Sequence, residues 1–401
     1  MSEAAAERHS AWSIFLVFLR LGLTSFGGPV AHLGYFRTEF VTRRAWLDER
    51  SYADLVALCQ FLPGPASSQV GMGIGFGRGG PTGALAAWAG FTLPSALAMI
   101  LFALGIQHWG RMPEGVVHGL KVVAVAVVAQ AVWGMMRNLC PGRTHKIIML
   151  GAAAFLLALP SAWNQIIVIL AAAAVGRWAF ADRIPPAPIP PLARADHRVA
   201  LALLAAFALL LAGLPLLSSV LDNPTVAMVD VFYRTGALVF GGGHVMLPLL
   251  QAEVVPPGWV DNDTFLAGYG AVQAMPGPLF TFAAFLGASA SGPASAWSGG
   301  VLALVAIFVP SFLLVLGALP FWDRLRGNTA TRAALGGINA AVVGLLLAAF
   351  YDPVWSSAIH APADLLIAGA ALFALTRLKA PPWLVVLLTA VGGWLVVSLA
   401  G

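Results

Sequence analysis

Charge is what this 401-residue chain has least of. Only 10% of its residues are charged, where soluble domains carry about 25%. That density cannot cover a water-facing surface, which excludes the soluble globular class. Cysteine is nearly absent too. Cys59 and Cys140 are the only two, so there is no disulfide framework and no cysteine-built metal centre by spacing. A GxxxxGK[ST] loop is missing, which leaves no direct ATP drive. HExxH spacing and a nucleophile elbow are missing as well. The chain therefore reads as a non-enzyme, without catalytic residues, metal or cofactor. The opening "MSEAAAERHS" has no net positive region and no cleavage site, so no removed signal peptide is expected.

What the chain has in excess is apolar. It is 59% hydrophobic, with 43 Gly, 13 Trp and 23 Phe. Small residues let helices approach closely in lipid, and aromatics collect at its interfaces. The expected class is an all-α polytopic integral membrane protein. The net charge of +5 then reflects arginine-rich cytoplasmic loops rather than a nucleic-acid partner. Nine runs are apolar enough to cross a bilayer: 82–108, 115–137, 146–160, 162–180, 199–220, 294–320, 331–351, 361–377 and 382–400. Four more are interrupted: 12–34 by "FGGP", 53–77 by "LPGP", 229–250 by "FGGGH" and 264–290 by "MPGP". The stretch "GMGIGFGRGG" (71–80) reads as close helix packing and a turn.

The two halves repeat. "FLRLGLTSFGG" (18–28) aligns with "FYRTGALVFGG" (232–242), and "QFLPGP" (60–65) with "QAMPGP" (273–278). Glu39 falls opposite Glu253, Trp46 near Trp259, Asp48 near Asp261, and Pro94-Ser95 near Pro310-Ser311. Shared Arg, Gln, Gly and Pro at a near-constant offset points to duplication, since chance likeness between apolar runs is shared Leu and Ala. The expected organisation is a first repeat over 12–180, a proline-rich linker with one connecting span over 181–228, and a second repeat over 229–400. Such internal symmetry recurs in secondary transporters.

Loop charge orients the repeats. Segments 137–146, 177–198, 323–332 and 377–379 carry Lys and Arg; 221–230, 251–263 and 351–364 carry acids and neither base. The first group is expected in the cytoplasm and the second outside. The single span between even-numbered halves then inverts the second repeat. If the interrupted runs crossed fully, loop 37–50, with four arginines, would lie outside and acidic 251–263 inside. Re-entrant segments place both correctly. Nine spans plus four broken segments are therefore preferred over thirteen spans. Either count puts the N-terminus inside and the C-terminus outside.

Irregular backbone within a membrane is tolerated only against protein or a water-filled cavity. A helix that starts there points unpaired N–H groups and a positive dipole end at the break, a ready anion site. Gly27, Gly28, Gly241, Gly242 and Gly243 supply flexible breaks. Pro63, Gly64, Pro65 and their counterparts Pro276, Gly277, Pro278 supply the others, with hydroxyls just beyond at Ser67, Ser68 and Thr281. The plainer reading of any one motif is a packing glycine or a kink; four, paired by symmetry, favour a site. Arg20 and Arg234 lie in equivalent apolar positions and suit tetrahedral oxyanions. Snorkelling, or pairing with Glu39 or Glu253, are their alternatives. Gln60 and Gln273 can donate to an oxyanion or satisfy freed carbonyls. His244, with Val30 in the matching place, can carry a proton or be a satisfied polar histidine. Glu39, Glu253 and Lys121, whose counterpart is Asn339, complete the candidates for coupling or gating.

"FLRLGLTSFGGPVAHLGYFRTEFV", "QFLPGPASSQVGMGIG" and their echoes "FYRTGALVFGGGHVMLPLLQAEVV" and "QAMPGPLFTFAAFLG" resemble the chromate ion transporter family, in its long form with two homologous domains. The resemblance covers almost the whole chain. It implies a bacterial inner-membrane protein that exports chromate from the cytoplasm, driven by the proton-motive force, and so confers resistance. The partners implied are chromate, or the similar sulfate, and the lipid bilayer, with no nucleic acid; a homodimer is left open. The implied motif residues are Arg20, Gly27, Gly28, Gln60, Pro63, Gly64 and Pro65, then Arg234, Gly241, Gly242, His244, Gln273, Pro276, Gly277 and Pro278. The alternatives within the sequence are a sulfate transporter, a passive anion channel and a membrane scaffold without transport.

Overall fold

The computed structural model describes residues 9–108, 113–159, 161–180, 197–240, 242–291, 296–322 and 328–400. Most of the proline-rich linker and Gly241 thus lie outside the described residues. Those described form helices and turns and no strand, as a polytopic all-α membrane protein requires. The first half holds α1 (Ala11–Thr24), α2 (Gly28–Arg37), α3 (Glu49–Phe61), α4 (Ala66–His108), α5 (Glu114–Leu139), α6 (Arg143–Ala158) and α7 (Ala162–Phe180). A lone helix, α8 (His197–Leu221), follows. The second half holds α9 (Pro224–Leu238), α10 (Met246–Val254), α11 (Asn262–Val272), α12 (Phe282–Ser289), α13 (Ala296–Ala318), α14 (Thr329–Ala349), α15 (Pro362–Thr376) and α16 (Pro382–Ala400).

All four interrupted runs break where the Gly and Pro residues stand, and each folds back on itself. Phe18 of α1 stacks on Phe40, just past α2, with ring centroids 4.9 Å apart. A straight helix would hold these residues about 33 Å apart. Leu55 of α3 packs on Gly73 of α4. In the second half Arg234 of α9 pairs with Glu253 of α10, and Phe265 of α11 meets Phe282 of α12 at 5.1 Å. These contacts make hairpins. Matched aspartates start two of them. Asp48 caps α3 by accepting from Ser51 N at 2.8 Å, and Asp261 caps α11 by accepting from Thr264 N at 2.9 Å. The Ser51 N–H and hydroxyl hold the Asp48 carboxyl below its ordinary value.

Helix α4 is two helices joined at a reversal. Gly80 is non-helical, at φ 63° and ψ −152°, with Pro81 next. A Cβ on Gly75 would collide with the Gly83 carbonyl, although a straight helix would separate the two by about 12 Å. The glycine-rich stretch therefore turns the chain and lets its two arms touch, as its composition suggested.

The halves interlock. Helix α5 packs on α15 and α16 of the second half, and α14 packs on α6 and α7 of the first. Glycines make both seams close: Gly119 against the Thr389 carbonyl, Gly337 against that of Ala172. Most of the buried apolar core is one cluster that runs through both halves, from Met72 and Val122 to Phe282 and Leu346.

Candidate functional site

The Pro-Gly-Pro turn of each half is held by the other half. Gly64 N–H donates to the Val239 carbonyl at 2.6 Å, and Gly277 N–H donates to the Ser25 carbonyl at 2.9 Å. Val239 and Ser25 are aligned positions, the C-caps of α9 and α1. Both glycines are left-handed, at φ +118° and φ +95°. A Cβ on Gly64 would lie 2.6 Å from Ser311 Oγ, and one on Gly277 2.9 Å from Ser95 Oγ. Ser311 and Ser95 are themselves aligned. Only glycine permits this close, reciprocal crossing.

Around the crossing lies a cavity of about 770 Å³. All four breaks border it: Gly27 and Gly28, Gln60 and Gly64, Gly242 to His244, and Gln273 with Gly277. The N-terminal starts of α2 and α4 and the turns before α10 and α12 thus share one space, where the first N–H groups of a helix have no helix partner. Gln273 Nε2 is buried and has no hydrogen-bond partner. Gln130 and Asn138 of α5 and Asn339 of α14 add amides. His244 shares a 2.8 Å hydrogen bond between its Nδ1 and the hydroxyl of buried Tyr269. Among the described residues that line the cavity there is one charged side chain, Lys379, and no Asp or Glu. The lining offers donors and positive potential, the chemistry of an anion site.

The structure sorts the sequence candidates. Gly27, Gly28, Gln60, Gly64, Gly242, Gly243, His244, Gln273 and Gly277 line the cavity. Pro63, Pro65, Pro276 and Pro278 shape the turns without lining it. The hydroxyl residues do not line the cavity: Ser67 Oγ lies 3.3 Å from His32 Nδ1, Thr281 Oγ1 donates to the Pro278 carbonyl at 2.9 Å, and Ser68 Oγ is buried without a hydrogen-bond partner. Both arginines stand apart from the cavity. Arg234 is held by Asp230 at 2.8 Å and by Glu253, with Trp163 of α7 over its guanidinium, 5.8 Å to the ring centroid. Arg20 is exposed and makes no side-chain hydrogen bond or ion pair among the described residues. Its neighbour Glu39 is buried and paired with Arg43 at 2.9 Å and Arg44 at 2.7 Å. Lys121 pairs with Asp263 of α11 at 3.0 Å.

Sequence reasoning missed Gln130 and Asn138 as lining residues and weighed Asn339 only as the counterpart of Lys121. It counted Lys379 only as a loop charge. A polar residue within an apolar helix, as Gln130 is in "KVVAVAVVAQAVW", was the available signal. It also missed His32, which is buried on α2 with its Nε2 unpartnered.

The family model described as "Chromate transporter" matches residues 12–177 and again 226–394. A chromate transport protein of Pseudomonas aeruginosa is 29% identical, over 98% of this chain and 94% of its own length. One of Cupriavidus metallidurans is 26% identical, over 90% and 87%. An uncharacterised transporter of Bacillus subtilis is 31% identical over 43% of this chain but 97% of its own length, so that relative spans about one half. No solved structure matches. With the family model covering both halves, the chain belongs to the chromate transporter family.

Proposed function

We propose that the protein is a secondary active transporter that exports chromate from the cytoplasm by alternating access, driven by the proton-motive force. The observation that carries this reading is the cavity where four half-helix starts meet, with amide donors, one lysine and no carboxylate in its described lining. A tetrahedral dianion is the ligand such a lining recognises, and the relatives' names supply chromate as that dianion. Sulfate shares its charge and shape. The two 12–180 and 229–400 repeats act as the moving halves, the second inverted. His244 is the one described lining side chain whose ordinary pKa lies near neutrality, which suits a proton-coupled cycle.

The cavity also suggests the state. Its mouth is bordered by Asn138 and Leu139 at the end of α5 and by Lys379 to Pro382 before α16. Both segments belong to the loops that positive charge assigns to the cytoplasm. On the opposite side α10 packs on α14, and the end of α14 is buried through Leu345, Leu346, Ala348 and Ala349. The equivalent helices α2 and α5 make no comparable contact among the described residues. Inverted repeats that pack unequally are expected of an inward-open state, with the outward-open state reached when the two packings exchange.

The test is flux into proteoliposomes with chromate and sulfate in competition and an imposed pH gradient. Saturable, gradient-dependent chromate accumulation is expected. Rapid flux indifferent to the gradient would mean a channel, and preference for sulfate would reassign the substrate.

A further inference from the structure

We propose that Lys379 is the residue that selects anions at the cavity mouth, attracting the dianion before the broken helices receive it. This deepens the transport reading above and rests on it. The first observation is charge. Lys379 is the sole Lys or Arg among the described lining residues, and no acid there offsets it. It is exposed and takes part in no ion pair among the described residues. A cavity with low-dielectric walls focuses the field of such a charge along its axis.

The second observation is the backbone. Lys379 is one of three described non-glycine residues at positive φ, at +53°. It sits where the chain wraps over the end of α15, with Ala380 N–H donating to the Ala374 carbonyl at 3.0 Å. Left-handed residues at helix C-termini are mostly Gly or Asn, because a Cβ there is strained. A lysine in this place loses stability locally, and strain of this kind gathers at functional positions. Cap geometry alone would favour glycine.

The third observation is asymmetry. Trp163 and Trp383 hold the same place at the starts of α7 and α16. By that offset the counterpart of Lys379 is Leu159, an exposed apolar residue in the turn between α6 and α7. Among the described residues the matching place in the first repeat thus carries no charge. The residue type fits transit as well: an ammonium is a compact, hydrated point charge on a flexible stem and does not clamp an oxyanion as a guanidinium fork does.

The test uses the full chain in proteoliposomes, reading initial chromate flux against concentration from the face that carries residue 379. Lys379→Gly removes the charge and relieves the backbone, so its thermal stability in detergent should equal or exceed wild type. Its KM should rise about tenfold with kcat little changed, and its dependence on ionic strength should flatten. Lys379→Arg should restore KM, and Lys379→Glu should raise it beyond the glycine variant. A Lys379→Gly protein with wild-type KM and wild-type salt dependence overturns the assignment, as does one that loses kcat alone. If the wild type shows no saturable anion flux, the transport reading fails and takes this assignment with it.

Discussion

Gly277→Ala tests the reciprocal crossing on which the cavity is built. The Gly277 backbone is at φ +95°, where a Cβ costs about 1–2 kcal/mol. The new methyl would lie 2.9 Å from Ser95 Oγ and 3.1 Å from the Phe91 carbonyl oxygen. The serine hydroxyl can rotate, but the carbonyl belongs to α4 and cannot yield without moving the helix. Overpacking of this kind costs about 1–3 kcal/mol. If the turn withdraws instead, the 2.9 Å bond from Gly277 N to the Ser25 carbonyl is lost, for about 1 kcal/mol more. With the backbone cost, overpacking comes to about 2–5 kcal/mol and withdrawal to about 2–3 kcal/mol. Gly242→Ala is the control. Gly242 is also left-handed, at φ +125°, but a Cβ there meets nothing within 4 Å, so only the backbone cost of about 1–2 kcal/mol applies. Thermal unfolding in detergent, read by the loss of monodisperse protein, should rank wild type above Gly242→Ala and Gly242→Ala well above Gly277→Ala. Gly64→Ala should fall with Gly277→Ala, because its Cβ would lie 2.6 Å from both Ser311 Oγ and Gln69 Nε2 and its N–H holds the Val239 carbonyl. Equal stability of the Gly242 and Gly277 variants would refute the argument that the turns are fixed by close contact across the halves.

Arg234→Ala should strongly reduce folded yield, because it leaves buried Asp230 and half-buried Glu253 without their cation, at about 3–5 kcal/mol; exposed Arg20→Ala should leave yield intact, and fluorescence size-exclusion chromatography distinguishes them. Adding Asp230→Asn and Glu253→Gln to Arg234→Ala should recover part of the loss, and no recovery would mean that arginine acts by some route other than charge compensation. Single cysteines at Arg43 and Asn138 should react with a membrane-impermeant maleimide only from the cytoplasmic side, and one at Asp261 only from outside. Labelling of position 43 from outside would return the count to thirteen spans.

The sequence by itself determined the class, the four breaks and the pairing of motifs. These follow from local physics: too little charge for water, too many apolar residues, and Gly-Gly or Pro-Gly-Pro where no helix can run unbroken. Loop arginines further predicted that the broken runs turn back, and the Phe18–Phe40 and Phe265–Phe282 contacts agree. Which polar residues face one another was decided only by tertiary structure, because that depends on helix rotation and on contacts hundreds of residues apart. Arg20 and Arg234 look alike along the chain. In space Arg234 has two carboxylates and Trp163, whereas Glu39 is taken by Arg43 and Arg44, and neither arginine reaches the cavity. Gln130, Asn138 and Lys379 join it only because α5 of one half packs on α15 and α16 of the other. The glycines carried both kinds of information. Their place in the sequence marked where the helices stop, and the missing Cβ let Gly64 and Gly277 sit against the opposite half.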